Sequence, residues 1–145
     1  MILELGVTTT GAATGTAGWE IRTGSTPGQF KLMELGFTLV AATASKIGLG
    51  RPAAIGVTPT TPVDFQLRNS NNVLAAGALQ SALAWATPPT IPAQFFKVIG
   101  LPATIGAGVI WEFGPGGLTI PISSGLVLWN MAANSVLNAY AVIEL

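Results

Sequence analysis

The chain has 145 residues, enough for one ordinary domain and short for two. Half of it is hydrophobic and only 8% is charged, against about 25% in a typical soluble domain, and six acids cancel six bases. That balance argues against an electrostatic match to nucleic acid or an anionic membrane. With no cysteine and no histidine, disulfides, thiolate chemistry, Cys-based zinc sites and an imidazole base are all excluded.

In chain order, Ile2 to Leu5 is a short apolar piece, and residues 8–18, rich in Thr, Gly and Ala, have no periodicity and predict a loop or mobile arm. Trp19, Ile21 and Thr23 alternate with Glu20 and Arg22, the pattern of a half-buried strand, which turns at 24–28. Phe30 to Ala42 predicts a long strand with Gly36 as a bulge. Gly48 to Pro62 reads as loop because Gly and Pro recur through it. Val63, Phe65 and Leu67 alternate with polar residues, and Asn69 to Asn72 forms a turn. Val73 to Ala86 is rich in alanine, which favours helix, but Gly77 interrupts it and Leu79, Leu83 and Trp85 share a period of two, so Leu79 to Ala86 is taken as strand.

Thr87 to Pro92 holds three prolines and is loop, followed by strands at Ala93 to Ile99 and Gly108 to Phe113. Gly114 to Gly117 is a turn, and Pro121 makes Leu118 to Ile122 an edge or bulged strand. Ser123 to Gly125 turns into Leu126 to Met131. The last strand, Ser135 to Leu145, puts Leu137, Ala139, Ala141 and Ile143 on one face. Short strands between Gly/Pro turns predict an all-β fold: an antiparallel jelly-roll sandwich of about eight strands. The expected organisation is an N-terminal arm or short strand at 1–17 and one sandwich domain at 18–145. The uncharged stretch from Phe113 to Ile143 is too heavily punctuated by Gly, Pro and Asn to be a membrane span. Glu4 sits where a secretory signal would carry a basic residue, so no such signal is expected.

Two echoes run through the chain. Ile2 to Thr8 matches Leu32 to Thr38 around a shared Glu-Leu-Gly, and Ile47-Gly48-Leu49 with its Pro52 sequel matches Ile99-Gly100-Leu101 with Pro102. They are open to three readings: duplication, equivalent loops in two halves of a sandwich, or coincidence in a biased composition.

No chemistry-bearing motif emerges. Glu4, Glu20, Glu34, Asp64, Glu112 and Glu144 are isolated in sequence, and no calcium loop is present. A paired-carboxylate glycosidase is formally open, since spatial pairing is invisible in sequence; the plainer reading makes each acid a solvated strand residue or an ion-pair partner. Gly114 to Gly117 lacks the Lys-Ser/Thr of a phosphate loop. Trp19, Trp85, Trp111 and Trp129 could stack on sugars, but large aromatics mostly pack in cores and interfaces. No enzyme activity, cofactor or metal is expected.

The stretch Pro102 to Trp111, together with Gly125 to Asn130, the closing apolar strand and Gly48 to Pro52, resembles small jelly-roll capsid decoration or cement proteins of tailed phages. The resemblance implies a homotrimer on the outer capsid surface of a virion, bound where major capsid protein subunits meet, with no nucleic acid or membrane partner. On that reading the oligomer interface draws on Trp85, Trp111, Phe113, Trp129 and Tyr140, and Ile2, Leu3 and Leu5 form a lattice-docking arm. The alternative is a receptor- or carbohydrate-binding head of a phage tail fibre.

Overall fold

A computed structural model describes every residue except 12, 24–27, 76, 133 and 134. The described residues form strands and no helix, so none of them lies in a helix long and apolar enough to cross a membrane. The strands are β1 (Ile2–Thr8), β2 (Thr16–Thr23), β3 (Phe30–Leu39), β4 (Ser45–Gly50), β5 (Val57–Pro59), β6 (Gln66–Leu67), β7 (Leu79–Ala82), β8 (Trp85–Thr87), β9 (Lys97–Leu101), β10 (Gly108–Glu112), β11 (Leu118–Ile120), β12 (Gly125–Ala132) and β13 (Leu137–Glu144).

They pair antiparallel in two main sheets. Sheet A runs β10-β3-β13-β1-β6, with β11 also on β3, and sheet B runs β7-β2-β12-β4-β9. A two-stranded ribbon, β5-β8, stands apart from both. Successive strands switch sheets from β1 through β4, and again from β9 through β13 except at the step from β10 to β11, which both lie in sheet A. The inward faces meet in one core. Sheet A contributes Leu3, Phe30, Leu32, Leu35, Phe37 and Ile143, and sheet B contributes Trp19, Ile21, Ile47, Leu49, Leu126 and Leu128. Burying each such side chain stabilises the fold by about 1.5–3 kcal/mol. Trp19 also donates its indole N–H to Ser81 Oγ at 2.6 Å, so its one polar atom is satisfied in the core.

β13 follows its sequence alternation, with Leu137, Ala139, Ala141 and Ile143 buried and Asn138, Tyr140, Val142 and Glu144 outward. Several other expectations need correction. Of the arm or short strand expected at the N-terminus, Ile2 to Leu5 has the strand: it belongs to seven-residue β1, paired with β13 along its whole length and with β6 on its other side. Leu3 is fully buried, and Ile2 and Leu5 are half-buried. A docking arm built on Ile2, Leu3 and Leu5 would have to leave the core, and β1 shares its sheet with β13, β3 and β10. β2 likewise begins at Thr16, inside the expected loop.

The glycines of 48–50, read as loop, lie inside buried β4. Their missing side chains make room for Phe95 and Met131, which a Cβ on Gly48 would strike. The strand expected at 93–99 starts only at Lys97, and Val63 to Leu67 narrows to β6. Leu79 to Ala86 is extended, but it breaks after Ala82 into β7 and β8 in different sheets. The bulge in β3 falls at Met33, which is skipped between the pairs Leu32–Ile143 and Glu34–Val142, and not at Gly36. The expected turn at 24–28 lies largely outside the described residues.

Gly114 to Gly117 is the expected turn, with the Gly117 amide donating to the Gly114 carbonyl at 3.1 Å, but it does not reverse the chain. β10 and β11 both pair antiparallel with β3, at residues 34–38 and 30–32, so they are two halves of one edge strand interrupted by a looped excursion. Gly114 and Gly117 adopt positive φ to form that excursion.

Candidate binding face

The outward face of sheet A is organised around β13. Its neighbours β1 and β3 meet it in matched register. Gly6 and Gly36 both lie opposite Tyr140, Glu4 and Glu34 opposite Val142, and Thr8 and Thr38 opposite Asn138. The Glu-Leu-Gly echo in the sequence therefore occupies equivalent positions on either side of one strand. On the outer edge, Ile110 pairs with Gly36, Glu112 with Glu34 and Gly108 with Thr38.

Tyr140 lies across Gly36, where any Cβ would overlap its ring, and its hydroxyl donates to Glu34. That hydrogen bond, with burial and the charges of Glu34 and Glu112, pushes the phenol pKa up to about 12. Gly6, on the other side, is uncovered: a Cβ there would meet only the Ala139 carbonyl, at 3.9 Å. Thr8 donates to Asn138 Oδ1 at 2.8 Å. Beside Tyr140 a depression of about 530 Å³ opens between Thr38, Asn138, Gly106, Gly108 and Ile110. Ile110 is 60% exposed there. Glu4 pairs with Arg68 and Glu144 with Lys31, so Glu34 and Glu112 are the carboxylates of this face without a cation among the described residues. They sit directly opposite each other, an arrangement that is unfavourable for like charges.

The outward face of sheet B is covered. Ala17, Val127 and Trp129 are buried there beneath Trp85, Phe95 and Met131. Trp129 Nε1 donates to the Gly50 carbonyl at 3.4 Å. Glu20, expected on a half-buried strand, is 1% exposed. Its Oε2 accepts from the Gly56 amide at 3.0 Å, and Arg22 stands 3.8 Å from Oε1 while also donating to the Gly56 carbonyl. Burial raises the Glu20 pKa, opposed by the Gly56 amide, the Arg22 charge and the Trp85 indole. The indole N–H influences the carboxylate, yet Trp85 Nε1 and Glu20 Oε1 make no hydrogen bond of good geometry. Gly56 is where this roof closes, since a Cβ there would strike Trp85.

The five residues expected at an interface are thus scattered. Trp129 is fully buried under the sheet B roof, and Trp85 is part of that roof. Trp111 packs edge-on against Phe37 at 5.0 Å in the main core. Phe113 is half-buried at the β10 edge with Lys97 6.0 Å from its ring, and Tyr140 belongs to the open face of sheet A. Sequence reasoning missed Gly6, Gly36, Thr38, Asn138 and Ile110 as a group. The repeated Glu-Leu-Gly carried the signal, but only the register with β13 gives it meaning.

Among the described residues no group of three or more acidic side chains is placed to hold a metal ion. No protein-family model, curated protein or solved structure matches the chain.

Proposed function

We propose that the chain is a non-enzymatic virion structural protein, a jelly-roll capsid decoration or cement protein that trimerises and stabilises the capsid lattice from its outer surface. The strand order supports the fold. Taking β10 and β11 as one strand, sheet A contains β1-β13-β3-β10 and sheet B contains β2-β12-β4-β9. First therefore pairs with last and second with next-to-last, as two nested Greek keys require in a jelly roll.

The observation that carries assembly is an open, apolar edge. β9 and β10–β11 end their sheets on one side of the sandwich, bridged by the Lys97–Phe113 contact, with no further strand paired to them among the described residues. Phe96 and Val98 are exposed there, next to half-buried Phe95 and Met131 around Gly48. Unpaired edges carrying apolar side chains invite association. Ile55, Val57 and Ile122 are also exposed, outside that edge. An exposed apolar edge of this kind can be covered by another surface of a second copy, and such a heterologous contact repeated around a three-fold axis closes into the homotrimer. The low charge removes the repulsion that would oppose such packing.

The test is co-sedimentation with expanded phage capsids whose lattice lacks a decoration protein. The expected result is saturable binding in multiples of three copies, lost in Val98→Asp. A folded chain that leaves such capsids bare overturns the decoration reading.

A further inference from the structure

We propose that the outward face of sheet A binds a neutral oligosaccharide, with Tyr140 as the stacking platform. This proposal does not depend on the capsid reading.

Three observations carry it. The depression beside Tyr140, about 530 Å³, falls within the 300–1,000 Å³ typical of small-molecule sites. Its walls combine an aromatic ring and the exposed Ile110 with the Thr38 hydroxyl and the Asn138 amide, which suits a pyranose: apolar C–H faces for stacking, hydroxyls around the rim. Asn138 spends its Oδ1 on Thr8, which leaves its nitrogen without a partner among the described residues and so able to donate.

Second, Tyr140 is held in place. Gly36 provides the seat beneath the ring, and Glu34 fixes the hydroxyl. A ring immobilised before binding loses less entropy when a sugar stacks on it.

Third, Gly6 has no internal reason to be glycine. Its φ is not positive and no side chain packs over it, although glycine weakens a strand. Bare backbone next to Tyr140 on the β1 side leaves a second trough, so the ring stands between two open strips. Glycine at such a point marks close approach by a ligand. The charge pattern selects the class. Glu34 and Glu112 accept hydrogen bonds from hydroxyls and repel acidic sugars, and no cation lines the depression to hold phosphate or sulfate. The rows of Thr38, Gly36 and Glu34 are two residues apart, about 7 Å each, so the face accommodates several sugar rings along the strands.

The experiment is a titration of the isotopically labelled full chain, followed by amide resonances, with maltohexaose, cellohexaose and laminarihexaose at millimolar concentration. A heparin hexasaccharide serves as the acidic control. At least one neutral hexasaccharide is expected to move the resonances of Thr38, Ile110, Asn138 and Tyr140 together, while the acidic control does not. Tyr140→Ala and Ile110→Ser are expected to weaken that binding about tenfold or more. Ile110→Ser changes an exposed side chain and keeps the fold, so it remains informative if Tyr140→Ala is unstable. Gly6→Val fills open space with a strand-forming residue and is expected to preserve the fold while blocking binding. If no neutral probe moves these resonances, or if they shift only with protein concentration, the proposal is overturned and the face is a contact between copies. Binding that Ile110→Ser and Gly6→Val leave unchanged overturns it equally.

Discussion

The two outward faces of the sandwich solve the same problem in opposite ways. Sheet B hides its outer face beneath a layer of Trp85, Phe95 and Met131, and β12 is buried on both sides from Gly125 to Asn130. Sheet A leaves its outer face largely open, and Tyr140 covers the backbone at Gly36. Each face has one perturbed acid. Glu20 is buried under the roof and Tyr140 lies on the open side, and both protonated forms are favoured, by desolvation in the first case and by a hydrogen bond to Glu34 in the second. Glycine is the common device. On sheet B, Gly48 admits Met131 of the neighbouring strand together with Phe95 from the segment before β9, and on sheet A Gly36 admits Tyr140 of the neighbouring strand.

The largest test of this contrast removes a strand of the open sheet. Deleting residues 1–8 strips β13 of one complete ladder and opens the core at Leu3. The chain is expected to lose cooperative unfolding, measured by thermal denaturation. Leu3→Ala, a milder form, is expected to cost about 2–5 kcal/mol. A truncated chain that melts like the full one would restore the arm reading.

A smaller effect separates the twin glycines. Gly36→Ala would push Tyr140 off its seat and is expected to destabilise by about 1–3 kcal/mol, the range for overpacking. Gly6→Ala meets no side chain, and its equilibrium stability is expected to be unchanged or slightly raised. Equal losses at both positions would show that β13 does not distinguish its neighbours.

The smallest effects are in titration. Tyr140 is the single tyrosine, so tyrosinate absorbance reports it alone. A midpoint near 12 is expected, moving toward the ordinary value of about 10 in Glu34→Gln. Because the folded-state value is the higher one, the stabilisation from this hydroxyl is complete below about pH 10 and is lost as pH climbs toward the raised value. The Glu20 value is also raised, so the folded state holds that proton more tightly than the unfolded chain. Its contribution therefore falls as pH rises from the ordinary carboxyl value through the raised one, and Glu20→Gln is expected to flatten that slope in urea denaturation.

What the sequence revealed follows the same division. β13 was legible because one face is open and the alternation is clean, whereas β12, buried on both faces, read as a strand without showing what covers it. β4 was hidden because Gly48 and Gly50 look like breakers until Phe95 is placed over them. The choice between arm and short strand at Ile2 to Leu5 was open for a related reason, since a short apolar piece before a polar loop does not disclose its partner, and β13 lies at the far end of the chain. Trp129 and Trp85 were recognised as packing residues, but their partners are each other's neighbours within one chain. The face around Tyr140 depended on long-range register that no local pattern carries.

Self-assembly of the proposed structural subunit is decided by the mass of the purified chain in solution, followed by sedimentation equilibrium across a range of concentrations. A stable species near three times 14.8 kDa is expected, which Val98→Asp dissociates while the fold persists. A folded wild-type chain that stays at 14.8 kDa at every concentration would contradict it.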